Sequence, residues 1–208
     1  MPDQVKTIRL TMKTDIILAG VGGQGILTIA TAIGAAAIKK NLYLKQAEVH
    51  GMSQRGGAVQ SHLRLSNRPV ASDLIPRAHA DLILSVEPME SLRYLSYLSE
   101  DGWLVTNEEP YKNIDDYPDM ETIMNEITSL PRYVLLNADQ IARNLGSPRS
   151  SNIVMLGAAI PFINGLDAAL MEEGIRQVFA RKGEEVAEVN LQAFRAGMQI
   201  SEERIRNK

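Results

Sequence analysis

The chain of 208 residues contains no cysteine. That removes disulfides, thiol nucleophiles, zinc–thiolate sites and iron–sulfur ligation by this chain itself. Aromatic residues make up only 5% of the sequence, too few for the stacking platforms that hold single-stranded nucleic acid. Charge of one sign is also scarce: the formal net charge is −3, which offers no basic footprint for nucleic acid or an anionic membrane surface. No apolar run is long enough to span a bilayer, and residues 1–14 mix Asp3, Lys6, Arg9 and Lys13 among their apolar positions rather than forming a signal-peptide core. These absences lead us to expect a cytoplasmic protein without nucleic-acid, membrane or metal ligands. His50, His62 and His79 have no ligand-like spacing.

What is present is ordinary globular material, 45% hydrophobic and 23% charged, with strands and helices alternating along most of the chain. An apolar strand at Asp15–Ala19 runs into glycines. Ile26, Ile29, Ala30, Ile33 and Ala37 then recur at helical spacing up to Lys39 and Lys40, and Leu42–Glu48 reads as a second strand. This predicts a strand–loop–helix–strand unit of the parallel-sheet type. Strands at Val59–Leu65 and Pro69–Leu74, on either side of Asn67, read as a hairpin. Asp81–Val86 and Trp103–Thr106 read as buried strands, with a helix from Pro88 through Leu98 between them. A surface excursion at Asn107–Asp119 follows, then a helix near Met120–Ile127, a strand at Tyr133–Leu136 and a short helix ending at Gly146. After a polar break at Ser147–Asn152, Ile153–Ile163 is apolar on every side, so it is buried in the core or under a partner. Helices near Asp167–Ala180 and Glu184–Arg204 close the chain, the last with a stripe of Val186, Val189, Asn190, Ala193, Gly197 and Ile200. The fold class expected is α/β: a doubly wound, mostly parallel, Rossmann-like three-layer sheet with a β-hairpin excursion and C-terminal helices. We expect a single domain over 1–208, with a core at about 12–165 and a helical part at about 166–208.

Gly20, Gly22 and Gly25 satisfy G-x-G-x-x-G between a strand and a helix. Glycines let the backbone approach a phosphate, and the unpartnered first N–H groups of the helix point at the anion. The spacing imitates a P-loop, but Ile26-Leu27 stands where Lys-Ser/Thr is required. Gly51-Met52-Ser53-Gln54-Arg55 imitates a nucleophile elbow until Arg55 replaces its final glycine. Glu48 stands roughly where an acid would hold a ribose hydroxyl, later than the spacing of about 20 residues usual for it; a solvated strand end explains it equally. The segment Glu48–Gly57 gathers a carboxylate, an imidazole (His50), an amide (Gln54), a guanidinium (Arg55) and the Gly56-Gly57 turn at the sheet end that carries the first glycine loop. Arg55 is suited to fork onto a phosphate or carboxylate.

Taken together, Ala19–Gly25 and Glu48–Gly57 closely resemble the gamma-type domain of the 2-oxoacid:ferredoxin oxidoreductase family, and within it the small (beta) subunits of the indolepyruvate enzymes. The resemblance continues in order through Ser61–Leu65, Ala80-Asp81, Val86-Glu87-Pro88, Asn152–Gly157 and Asn190–Gly197. It implies a subunit, inactive alone, of a complex that oxidatively decarboxylates an aryl pyruvate, passes the acyl group to coenzyme A and reduces ferredoxin. A large (alpha) partner chain would carry thiamine diphosphate, magnesium and [4Fe-4S] clusters. The resemblance further implies that Gly20, Gly22, Gly23, Gln24 and Gly25 approach an anionic group such as a coenzyme phosphate. Gln54, Arg55, Gly56 and Gly57 would face a shared active site, with less defined roles for Glu48 and His50; His50 and Arg55 are the only catalytic candidates. Expressed alone, the chain would be free to form a homodimer. Two rivals use the same glycine loop: a freestanding NAD(P)- or flavin-dependent oxidoreductase, and a non-enzymatic nucleotide-sensing domain.

Overall fold

A computed structural model describes residues 11–50, 56–112 and 114–206. Six strands form one sheet: β1 (Lys13–Val21), β2 (Tyr43–His50), β3 (Ala58–Ser66), β4 (Ala80–Ser85), β5 (Leu98–Asn107) and β6 (Tyr133–Leu136), in the order β2-β3-β1-β4-β5-β6. Along β1, side chains alternate between faces as a strand requires. Ile16 and Leu18 join a core built with α1 (Ile26–Lys39), α4 (Ala138–Asn144), α5 (Ser151–Ala159), α6 (Ala168–Phe179) and α7 (Glu184–Arg206). Ile17 faces the other way, into a smaller core with Ile83, Leu104 and Leu135, covered by α2 (Pro88–Arg93) and α3 (Met120–Thr128). Helices on both faces of a mostly parallel sheet make the doubly wound, three-layer α/β fold expected.

The neighbours in the sheet differ from the expectation. β1 and β2 are not adjacent: β3 lies between them and pairs antiparallel with both, Glu48 opposite Ser61 and Gly20 opposite Val59. The hairpin partners are therefore β2 and β3, and not Val59–Leu65 with Pro69–Leu74. No strand forms at residues 69–74, because its backbone groups bond to side chains instead of to a ladder. Arg64 donates to the carbonyls of Ser72 and Leu74 at 3.1 and 3.0 Å, and Lys45 to that of Ala71 at 3.3 Å. The N–H of Ile75 donates to His62 Nδ1 at 3.0 Å. Arg64 is in turn held bidentate by the fully buried Asp15, with Nε–Oδ1 2.9 Å and Nη2–Oδ2 3.0 Å. The predicted helix to Leu98 is also shorter: it ends at Arg93, and after one 3-10 turn Leu98 already pairs with Ala80.

Ile153–Ile160 and Ile163 are buried by this chain itself rather than by a partner, while Pro161 is exposed. α5 lies under α7, and the two backbones touch at paired glycines. A Cβ on Gly157 would stand 1.9 Å from the Phe194 carbonyl oxygen, and one on Gly197 would stand 1.9 Å from that of Val154. The buried stripe of α7 is Ala187, Asn190, Leu191, Ala193, Phe194, Gly197 and Ser201, so Val186, at 38% exposure, falls outside it. Among the described residues no helix is long and apolar enough to cross a membrane.

Candidate anion site at the glycine loops

β1 delivers the chain to a loop that α1 leaves at Gly25. The two glycine loops of the sequence are stitched together: Gly22 N–H donates to Gly57 O at 2.8 Å, and Gly56 N–H to Gly22 O at 3.3 Å. Gln24 closes the first loop from inside. Its Oε1 accepts from Val21 N–H at 2.7 Å, and its Nε2 donates to Val86 O at 3.4 Å. Its amide is thus engaged in holding the loop's shape against the end of β4. Gly20 is needed for packing, since a Cβ there would stand 2.4 Å from Val86 Cγ2. Gly25, the N-cap of α1, sits at φ 82°, where L side chains are strained, and a Cβ would meet Asn152 Nδ2 at 2.4 Å. That Asn152 amide donates to Gly25 O at 3.1 Å and so ties the start of α5 to the start of α1. Gly23, at φ 104°, has nothing within 4 Å of its Cβ position and faces open space.

A cleft of about 700 Å³ opens on this loop, walled by Gly23, Gly25, Asn152, Arg149 and Lys182 among others. Both α1 and α5 begin in it. Neither is capped by a side chain, and neither has an acid in its first turn; the hydroxyl of Ser150, the N-cap of α5, is bonded to that of Ser147 at 2.8 Å. Two helix dipoles and two cations therefore present positive potential to one cavity, the electrostatics of an anion site. On the other side of the loop, Gly22, Gly23, Leu27, Glu48 and Val59 line a smaller cavity of about 270 Å³.

The structure thus brings Gly20, Gly22, Gly23, Gln24, Gly25, Gly56, Gly57 and Glu48 to one end of the sheet. His50 ends β2, but its side chain, and Gln54 and Arg55 entirely, lie outside the described residues. Sequence reasoning missed Arg149 and Lys182. The signal lies in the polar Ser147–Asn152 segment, since a polar turn opening an all-apolar helix is a second helix N-terminus at the same sheet end. Among the described residues no group of three His, Asp or Glu could hold a metal ion.

Beside the cleft, Glu87 is a fully buried carboxylate at the end of β4. It accepts from Glu90 N–H at 2.8 Å, from Tyr111 N–H at 3.3 Å and, through a short bond, from the Tyr117 hydroxyl. Burial, then that bond, push the Tyr117 phenol well above its ordinary value, and burial raises Glu90. His62 is lowered by burial, with Arg64 adding to the effect.

The chain matches the pyruvate ferredoxin/flavodoxin oxidoreductase family over residues 15–200. It is 34% identical over 198 residues to indolepyruvate oxidoreductase subunit IorB of Archaeoglobus fulgidus, covering 89% of this chain and 94% of that one. It is 29% identical over 196 residues to 2-oxoglutarate synthase subunit KorC of Methanocaldococcus jannaschii, covering 94% and 97%. In fold it is similar to the gamma subunit of a keto/oxoacid ferredoxin oxidoreductase from Geobacter sulfurreducens PCA, with TM-score 0.66 and 23% identity over 91% of this chain and 99% of that one. It is likewise similar to a 2-oxoglutarate:ferredoxin oxidoreductase from Magnetococcus marinus, solved with 2-oxoglutarate, coenzyme A and succinyl-CoA bound, with TM-score 0.71 and 22% identity over 92% of this chain and 31% of that one.

Proposed function

The chain belongs to the pyruvate ferredoxin/flavodoxin oxidoreductase family, and on that premise we propose that it is the small subunit of an indolepyruvate ferredoxin oxidoreductase. The observation that carries this is its 34% identity to IorB across nearly the full length of both chains, above the 29% to the 2-oxoglutarate subunit KorC. With a large subunit it takes part in converting an aryl pyruvate, coenzyme A and oxidised ferredoxin into acyl-CoA, CO2 and reduced ferredoxin. Thiamine diphosphate, magnesium and the [4Fe-4S] clusters belong to that large subunit; this chain has no thiolate to offer a cluster.

The contribution of this chain is to bind and orient the acyl acceptor. Gly22, Gly23 and Gly25 let the backbone approach the diphosphate of coenzyme A, and the first turns of α1 and α5 donate N–H groups to it. Arg149 and Lys182 supply compensating charge from the rim of the cleft. Gln24 keeps the loop in the shape that leaves Gly23 exposed. Gln54, Arg55 and the Gly56-Gly57 turn face the active site shared with the large subunit, with Glu48 and His50 at its edge. The dinucleotide-dependent rival is less favoured, because β3 occupies the sheet position beside β1 that the acid-bearing second strand takes in that fold.

The test is to express the chain together with its genomic neighbour. Co-purification with a large, cysteine-rich, thiamine-dependent chain, and reduction of ferredoxin that requires both indolepyruvate and coenzyme A, are the expected results. Turnover of a nicotinamide cofactor by the chain alone, or failure to associate with such a partner, would overturn the proposal.

A further inference from the structure

The two edges of the sheet are finished differently. β6 is four residues long, whereas β2 runs for eight, with an unbroken ladder to β3 on one side and, among the described residues, no strand on the other. Edge strands of that length are normally blunted by a proline, a bulge or a lysine held out in solvent. β2 has neither proline nor bulge. Its one lysine is turned back onto its own chain, with Lys45 Nζ 2.8 Å from Asp73 Oδ1 and 3.3 Å from the Ala71 carbonyl oxygen.

Alternation along the strand puts Tyr43, Lys45, Ala47 and Val49 on one face. Tyr43 and Val49, toward the two ends of that face, are 50% and 56% exposed. On the other face Leu44 packs under α1, its Cδ2 3.4 Å from the Cβ position of Gly34. One turn further along α1, Ile38 is 68% exposed, so apolar surface continues from the strand onto the helix.

We propose that β2 is a docking edge for β2 of a second copy of this chain, joining two six-stranded sheets into one. Two copies of a strand pair antiparallel about a twofold axis normal to the sheet, so one residue faces its own copy and fixes the register. The residues of β2 select that axis. Placed at Lys45 or Glu48, it sets like charges against each other. At Leu44 it leaves Val49, and at Ala47 Tyr43, without a residue of the opposing strand to face. At Gln46 it sets Tyr43 opposite Val49 of the second copy and Val49 opposite its Tyr43. These are two aromatic–β-branched pairs, and they cover both exposed apolar side chains of the strand. In that register Lys45 faces Ala47 and Glu48 faces Leu44, so no like charges meet. This self-complementarity is what names a second copy as the occupant, and the acyl acceptor has no part in it.

The chain has no cysteine, so one introduced thiol reads the register directly. Directly opposite Cα atoms in an antiparallel ladder stand about 4.5–5.5 Å apart, within disulfide reach. Three variants are oxidised mildly, as the full-length chain alone and in complex with the large subunit, and a covalent pair of this chain is sought on a non-reducing gel. Gln46→Cys should cross-link with itself. Tyr43→Cys alone and Val49→Cys alone should not, since each lies six residues along the ladder from its own copy, about 20 Å. A mixture of those two should. Sedimentation of the wild-type chain should give twice the mass of one copy. Val49→Lys, which breaks both pairs at once, should raise the dissociation constant of the dimer about tenfold. A wild-type monomer, no link through Gln46→Cys, or a link through Tyr43→Cys alone would overturn the proposal. So would a Gln46→Cys link that forms in the chain alone and is lost in the complex, since the large subunit would then hold this edge. Failure of the two subunits to associate at all counts against the proposed function, and the chain alone then decides the pairing.

Discussion

Glycines serve two different ends in this molecule, at two regions far apart in sequence. At the α5–α7 seam, Gly157 and Gly197 remove side chains so that two helix backbones can touch, and the nearest atoms to a would-be Cβ are backbone oxygens at 1.9 Å. At the first loop, Gly23 has open space around it, and what it supplies is a φ of 104°. Close-packed helices at the first region have no room to give. The second region is left open, beside two uncapped helix N-termini and two cations, the arrangement that the proposed anion site needs. The same residue type therefore predicts opposite phenotypes.

The largest stability effect should come from Gly197→Ala. The added methyl must push α7 off α5, an overpacking cost of about 3 kcal/mol, which for a domain of this size lowers Tm by roughly 6–12 °C. Thermal unfolding of the purified protein checks it, and a Tm within a degree of wild type would erase the contrast between the two regions. Substituting Arg149 and Lys182 together by Ala should barely move Tm. Both are exposed and lie at the cleft rim, so the loss appears as a roughly three- to tenfold higher KM for coenzyme A. The difference from wild type should shrink at high salt, where surface charges are screened; a salt-independent difference would point to packing instead.

The sequence made one of these regions much easier to read than the other. Strand, loop and helix at residues 15–39 carried their own local signals, and the all-apolar character of Ile153–Ile163 announced burial. What covers that segment was not legible, because Gly157 and Gly197 are 40 residues apart and become partners only when α7 folds back. The misplaced hairpin has a similar cause. Residues 69–74 look extended, but their backbone partners are the side chains of Arg64 and Lys45 rather than a strand. The antiparallel strand between β1 and β2 likewise depends on long-range pairing that periodicity does not encode. The site was half legible. Its glycines were found by pattern, whereas Arg149 and Lys182 come from separate elements that only the packing of α5 and α7 brings to the same cleft.

The smallest effect concerns the loop pinned by β3. His62 Nδ1 accepts from Ile75 N–H, so that nitrogen carries no proton in the folded chain. Burial lowers its pKa below the ordinary histidine value. The unfolded chain therefore binds the proton more readily, and this contribution to stability, full above about pH 6.5, is lost as pH falls through the lowered value. Tm measured from pH 7.5 down to 5 should fall more for wild type than for His62→Gln; parallel curves would show that the ring does not titrate in this range.

The central claim is that the open glycine loop receives the anionic acyl acceptor while the closed glycine seam only holds the fold. The most direct measurement is Gly23→Ala in the two-subunit complex, with the KM for coenzyme A and the Tm determined on the same preparation. The strain of placing Ala at positive φ costs about 1–2 kcal/mol, or roughly 2–8 °C. The account predicts that this modest loss is accompanied by at least a tenfold rise in KM, because the methyl stands where the phosphate must approach. An unchanged KM would contradict it and leave the loop as a tight turn alone.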